Sequence, residues 1–328
     1  MPLDIHVRRF LEMHPAASSG RYADAGQRRS RLAALACSAD PPGTEAIGGA
    51  RDQLMPVHDG QISLRIYSPL GEPVRTLPGF LYFHGGGWVA GSLETHDGLC
   101  RRLCNETGCR VIAVDYRLAP EHPFPFGLSD AVAALNHTSR NAARFGIDPQ
   151  RLGVAGDGAG ATLEAVLCHI ARDAGSEAIA FQLLLCPILD VALERPAPGE
   201  GQAGLLETFR RDLELYVPPD CELADLRLSP LRAADCAGLP PAFIHTAQYD
   251  PFGEEGEAYA RRLSESGVPV HGRRHPGMIH GFYGLPRELP YAGEAIRGIG
   301  TEIRYAMRLP PLPEQRITRR ARPELVHP

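Results

Sequence analysis

Polar and apolar residues along this chain change period several times, and each change marks an element. Over the first fifty residues, apolar positions at Ile5, Phe10, Leu11, Leu32 and Leu35 sit in an Ala- and Arg-rich background that breaks at Pro41-Pro42-Gly43, which predicts two short helices. From Gln61 the pattern alternates through Ile62, Leu64 and Ile66. After a turn-rich stretch a second run, Phe80 to Phe83, ends in glycines, and both runs predict strands. Apolar runs at 111–114, 152–155, 181–186, 242–245 and 268–271 predict further strands, most of them separated by segments of helical period. Strand alternating with helix through most of a chain implies an α/β fold with a mostly parallel sheet covered on both faces.

The rhythm fails once, between Asp190 and about Ser229. A Pro/Gly/Glu-rich loop at 195–204 is followed there by an amphipathic stretch at 205–215, the usual form of a lid inserted between sheet elements. The expected organisation is N-terminal cap helices over 1–50, a core in two parts at 51–190 and 228–308, a cap insertion at 191–227 and a Pro/Arg-rich tail at 309–328.

With 44% hydrophobic residues, 22% charged residues and a net charge of -5, the composition is that of an ordinary globular protein and argues against a nucleic-acid surface. All 34 Lys+Arg residues are Arg, which excludes a P-loop lysine, a Schiff-base lysine and a Ser-Lys dyad. The eight cysteines form no CxxC pair and no zinc-type spacing with His, so reduced core thiols are expected. Charges at Asp4, Arg8 and Arg9 interrupt any signal-peptide core, and no apolar stretch approaches the roughly 20 residues of a membrane span. A soluble cytoplasmic protein without a membrane span is the expectation.

Residues 151–161 read as a strand running into Gly156-Asp157-Gly158-Ala159-Gly160-Ala161 and then a helix. Taken alone this matches G-x-G-x-x-A, the loop that holds a dinucleotide pyrophosphate on backbone N–H groups. The fingerprint also requires an acidic residue at the end of the next strand, about 20 residues on. Asp173 precedes that strand and Asp190 lies beyond it, which argues against a dinucleotide; with no metal-type spacing of cysteines either, no cofactor or metal is expected.

The surroundings of the loop point elsewhere. His84-Gly85-Gly86-Gly87-Trp88 follows a strand, and its consecutive small residues can converge N–H groups on a developing negative oxygen. Gly156-Asp157-Gly158-Ala159-Gly160 has the G-x-(nucleophile)-x-G form of a strand-turn-helix elbow with glycine at its centre, and Asp250 and His280 follow in order. Nucleophile, acid, base is the order of α/β-hydrolases. With Val114-Asp115-Tyr116-Arg117-Leu118-Ala119-Pro120-Glu121-His122-Pro123-Phe124-Pro125, Ser229-Pro230-Leu231, Tyr249-Asp250-Pro251 and the stretch 277–282, the chain resembles the bacterial hormone-sensitive-lipase-like (family IV) carboxylesterases from about Asp59 to Tyr283. The resemblance implies an α/β-hydrolase fold: a mostly parallel eight-stranded sheet flanked by helices, with a helical cap. It also implies a small hydrophobic carbonyl or ester ligand, and a homodimer of the kind common among such proteins.

By the same resemblance Gly158 stands where a serine attacks the ester carbonyl, and neither Asp157 nor Ala159 can replace it. His280 is then the base, Asp250 orients it, and the N–H groups of Gly86, Gly87 and Ala159 hold the oxyanion, with Gly85 shaping the loop. Trp88, Asp157, Ile279 and Phe282 are expected to line the pocket. Glu164, two turns into the helix behind the elbow, is expected at an exposed face or in a salt bridge, and His96, His122 and His275 in loop structure. Losing the nucleophile of such a triad costs about a million-fold, whereas a positioned general base alone contributes roughly 10² to 10⁴-fold. Three readings stay open: a non-covalent enzyme built on the His-Asp dyad, a carboxylesterase whose serine has been replaced, and a non-catalytic ligand-binding protein.

Overall fold

A computed structural model describes residues 1–14, 21–71, 76–195, 199 and 202–312. Eight strands form one sheet: β1 (Gly49–Val57), β2 (Gly60–Ser68), β3 (Leu77–Phe83), β4 (Arg110–Val114), β5 (Ile147–Asp157), β6 (Gln182–Leu185), β7 (Ala242–Tyr249) and β8 (Val270–Ile279). Their order is β1-β2-β4-β3-β5-β6-β7-β8. Only the β1/β2 and β2/β4 pairings are antiparallel, and the rest are parallel. This is the α/β-hydrolase sheet expected from the resemblance.

Every residue of β3 is buried, as a central parallel strand requires. Its side chains alternate between the two faces. Leu81 and Phe83 join one apolar cluster with α4 (Phe126–Arg140), α6 (Ala159–Asp173) and α8 (Gly253–Glu265). Phe80 and Tyr82 join the other with α3 (Asp97–Thr107) and α9 (Tyr291–Ala306). The short helix α5 (Ala142–Phe145) leads into β5. Because β4 lies on one side of β3 and β5 on the other, the loops after β3 and β5 open on the switch point of the sheet, where α/β folds bind ligands.

Three helices, α1 (Ile5–Met13), α2 (Ala25–Ala39) and α7 (Ala203–Tyr216), roof that point. Asp24 caps α2 by accepting a hydrogen bond from the Gln27 N–H. The carboxylate of Asp212 on α7 accepts from Tyr22 Oη at 2.8 Å and from Arg28 Nη2 on α2 at 3.1 Å, binding the two segments together. Arg29 donates to the carbonyls of Val89 and Ala119, which ties α2 down to the core. Of the stretch 195–204 only part is described, and of the tail 309–328 only 309–312; the remainder of both lies outside the described residues.

Candidate active site

Two turns meet at the carboxyl ends of β3 and β5, and glycine is what lets them meet. A Cβ on Gly160 would lie 1.9 Å from the Phe83 carbonyl oxygen, and one on Gly156 would lie 2.4 Å from the backbone of Gly160. Only small residues therefore allow α6 to leave β5 so close to β3. Between them Gly158 takes φ +52° and ψ -113°, a strained elbow conformation for any residue with a side chain.

The loop after β3 is held from below. Asp157 accepts hydrogen bonds from the Gly85 N–H at 2.9 Å and from Tyr82 Oη at 2.6 Å, and His96 Nε2 lies 3.5 Å from the same carboxylate. Burial pushes the Asp157 carboxyl up, but His96, Tyr82 and the Gly85 N–H together hold it down at about 2. Tyr116 Oη donates to the His84 carbonyl and fixes the start of the loop. Gly86 and Gly87 follow with φ of +119° and +67°, which glycine supplies without strain. Among the described residues the N–H groups of Gly86, Gly87 and Ala159 have no hydrogen-bond partner, whereas that of Gly85 is taken by Asp157.

β8 runs on to Ile279 and so delivers His280 to the same place. His280 Nδ1 lies 2.9 Å from Asp250 Oδ2, and Asp250 Oδ1 accepts from the Phe252 N–H. The Asp250 side chain is fully buried. Burial lowers the pKa of His280, but the charge and hydrogen bond of Asp250, with Asp157 and Glu255 behind, more than offset it and leave the imidazolium favoured. Nε2, the free nitrogen of the ring, points at Gly158: a Cβ built there would sit 3.2 Å from it.

These groups face a cavity of about 260 Å³. Gly85, Gly86, Gly87, Asp157, Ala159, Ile279 and His280 line its floor, and Phe10, Leu35, Leu205 and Phe209 its roof. Two expected lining residues are elsewhere. Trp88 stacks on Tyr216 at 4.6 Å and is buried in the core, and Phe282 packs against His275 and Tyr291 rather than the cavity. Glu164 is neither exposed nor paired: it is wholly buried on the sheet-facing side of α6, and neither oxygen makes a hydrogen bond of good geometry. His96 lies as expected in the turn before α3, where it bonds Thr95 Oγ1 and sits beside Asp157 at the cavity, whereas His275 lies on β8 and pairs with His245 at 3.2 Å inside the core. His122 does lie in the loop before α4.

Sequence reading missed Arg28, Asp212 and Cys186. Arg28 and Asp212 reach the cavity from two distant segments that no local pattern connects. Cys186, at the end of β6, has its sulfur within 4.8 Å of donor atoms of Asp250 and His280, which makes this trio the one set of side chains among the described residues that could hold a metal ion. Asp250 and His280 already satisfy each other there. Once its imidazole is neutral, a histidine held by a buried carboxylate can take a proton, and unpaired N–H groups across a small cavity can stabilise an oxyanion.

The chain is similar to known proteins of this fold. A family model described as alpha/beta hydrolase fold matches residues 80–284. The carboxylesterase NlhH of Mycobacterium tuberculosis is 42% identical over 248 residues, 73% of this chain and 77% of its own. An arylesterase of Saccharolobus solfataricus is 36% identical over 88% of this chain and 94% of its own. Among solved structures, the ester-hydrolase EH1AB1 from the metagenome of Lake Arreo superposes with a TM-score of 0.85 at 41% identity, covering 92% of this chain and 98% of that one.

Proposed function

Since this chain belongs to the alpha/beta hydrolase fold family and is of its esterase/lipase type, we propose that it acts on a carbonyl-bearing hydrophobic small molecule by non-covalent chemistry, with the His280-Asp250 dyad as general base. The observation that carries this is the Nε2 of His280 aimed at a residue without a side chain, 3.2 Å from where a Cβ would be. Gly158 has nothing to be acylated, so the base must act on a water or on the substrate itself. Water attack, elimination, cyclisation and proton abstraction next to a carbonyl all need only a base and an oxyanion site. The N–H groups of Gly86, Gly87 and Ala159 supply that site, each contributing about 3 kcal/mol if the developing charge reaches it. The apolar roof suits a hydrophobic ligand.

A second reading has its own support. Gly158 keeps the elbow conformation, with positive φ, that a nucleophile-bearing residue would have to be forced into, which suits an ester hydrolase whose serine has been replaced. Hydrolysis of p-nitrophenyl butyrate by the protein, by Gly158→Ser and by His280→Ala tests both. The non-covalent reading expects slow, His280-dependent turnover by the unaltered protein. It is overturned if that turnover is absent while Gly158→Ser gains several orders of magnitude, which is the outcome of the second reading.

A further inference from the structure

We propose that the roof assembles the oxyanion site as well as covering it, with Arg29 of α2 as the residue that positions the oxyanion loop. This rests on reading the N–H groups of Gly86, Gly87 and Ala159 as that site, and adds what fixes two of the three. The loop after β3 is held in two halves. The core holds the first: Tyr116 Oη donates to the His84 carbonyl, and the Gly85 N–H donates to Asp157. The roof holds the second, at residues 87, 88 and 89 in turn.

Gly87 lies so close to α7 that a Cβ on it would sit 2.0 Å from Asp212 Oδ2. The Trp88 ring stacks on Tyr216, one turn further along α7, with centroids 4.6 Å apart and planes 6° from parallel. The Val89 carbonyl accepts from Arg29 Nε at 2.8 Å. Arg29 Nη2 donates at 2.9 Å to the Ala119 carbonyl, and the Ala119 N–H donates back to the Trp88 carbonyl at 2.9 Å. One guanidinium therefore joins the loop after β3 to the loop after β4, with Glu121 closing its outer edge. A planar fork of N–H donors serves two carbonyls and a carboxylate at once, which an ammonium cannot match.

The loop depends on such anchors. The N–H groups of Val89 and Ala90 both donate to the Gly86 carbonyl, so residues 86–90 form one tight turn. Gly86 and Gly87 enter it at φ +119° and +67°, backbone that glycine adopts freely and leaves as freely. Pinning the Val89 carbonyl fixes the turn and, through it, the direction of the Gly86 and Gly87 N–H groups. Oxyanion donors act through geometry set before the charge develops, so a turn left free to rotate loses much of their effect. Arg29 does not line the cavity and acts only through the loop. The third donor, Ala159, opens α6 on the sheet and does not depend on it.

The test titrates the full chain with benzylacetone, a hydrophobic ketone, isotope-labelled at its carbonyl carbon, and reads the C=O stretch of the bound ketone by difference infrared spectroscopy. Hydrogen bonds to the carbonyl oxygen lower that frequency. The proposal expects a lowered frequency in the unaltered chain, return of about half of the shift in Arg29→Ala, since two of three donors are freed, and an intermediate value in Arg29→Lys. Kd should rise less than about tenfold, because the apolar roof still covers the ligand. A residue that only stabilises the fold would weaken binding without moving the band of the ketone that still binds. Tyr216→Leu, which removes the stack on Trp88, should move the band the same way, and it decides the matter if Arg29→Ala does not fold. A band that keeps its unaltered frequency in these variants overturns the proposal and leaves the oxyanion reading standing. A ketone that fails to bind, or binds without a shift, removes the oxyanion reading and the proposal with it.

Discussion

At the scale of single residues the chemistry depends on one ring nitrogen. The pKa of His280 lies above its ordinary 6.5, and only its neutral form can accept a proton, so kcat/KM should rise as pH climbs through a midpoint above 6.5. The raised value also means that the pair's contribution to stability is fully present below 6.5 and is lost as pH rises through the folded pKa. Asp250→Asn removes the partner that raises it. The variant should lose roughly 10² to 10⁴-fold in kcat/KM, and its pH midpoint should move down. A pH profile of both proteins checks the loss and the shift at once. Asp250 and His280 could be read from the sequence because each sits in a short motif at the end of a strand. Trp88 and Phe282 sit in equally recognisable motifs yet turn into the core. Motif adjacency places a Cα near the cavity and leaves the direction of the side chain undetermined.

The elements record a different balance. Most of the parallel strands were legible as apolar runs, but the run at 268–271 meets β8 only at Val270 and His271, since residues 271–274 of that strand are exposed, and β1 was not legible, because only Met55 among its nine residues is buried. In α6 the pattern misled at Glu164, whose carboxyl is driven far up by burial with only a weak counterweight from the Leu183 main chain. A carboxyl raised in this way gives stability that is fully present below its ordinary 4.5 and is lost as pH rises toward the folded value. Glu164→Leu should therefore stabilise the protein by about 1–3 kcal/mol at neutral pH and by less in acid, as urea midpoints at the two conditions would report. Between α2 and α7, Asp212 is buried by its contacts with Tyr22 and Arg28. Asp212→Ala strands a partly buried guanidinium and should cost about 1–3 kcal/mol, less than a fully buried pair because Arg28 keeps some exposure. Limited proteolysis should cut the N-terminal segment faster in that variant, and KM should rise.

For the whole molecule, the sheet and its switch point position the chemistry, and two segments far apart in the chain close over it. The strand-helix alternation made the first half of this legible. The roof was legible only as amphipathic helices, since the contacts that make it one, those of Tyr22 and Arg28 with Asp212, join residues that no local spacing relates. Leu3, Val7 and Phe10 share the apolar cluster of Phe282 and Tyr283, so the roof is also part of the core. Deleting residues 1–39 should leave far-UV circular dichroism of the sheet largely intact, increase binding of a hydrophobic dye and abolish His280-dependent turnover. The central claim is that a base and an oxyanion site are assembled around a nucleophile position that carries no nucleophile. Intact-mass measurement after exposure to diethyl p-nitrophenyl phosphate tests it most directly. The account predicts no adduct on the protein as it stands and a single diethylphosphoryl group at position 158 in Gly158→Ser, lost again in Gly158→Ser combined with His280→Ala. A stoichiometric adduct on the unaltered chain, or none on folded Gly158→Ser, would contradict it.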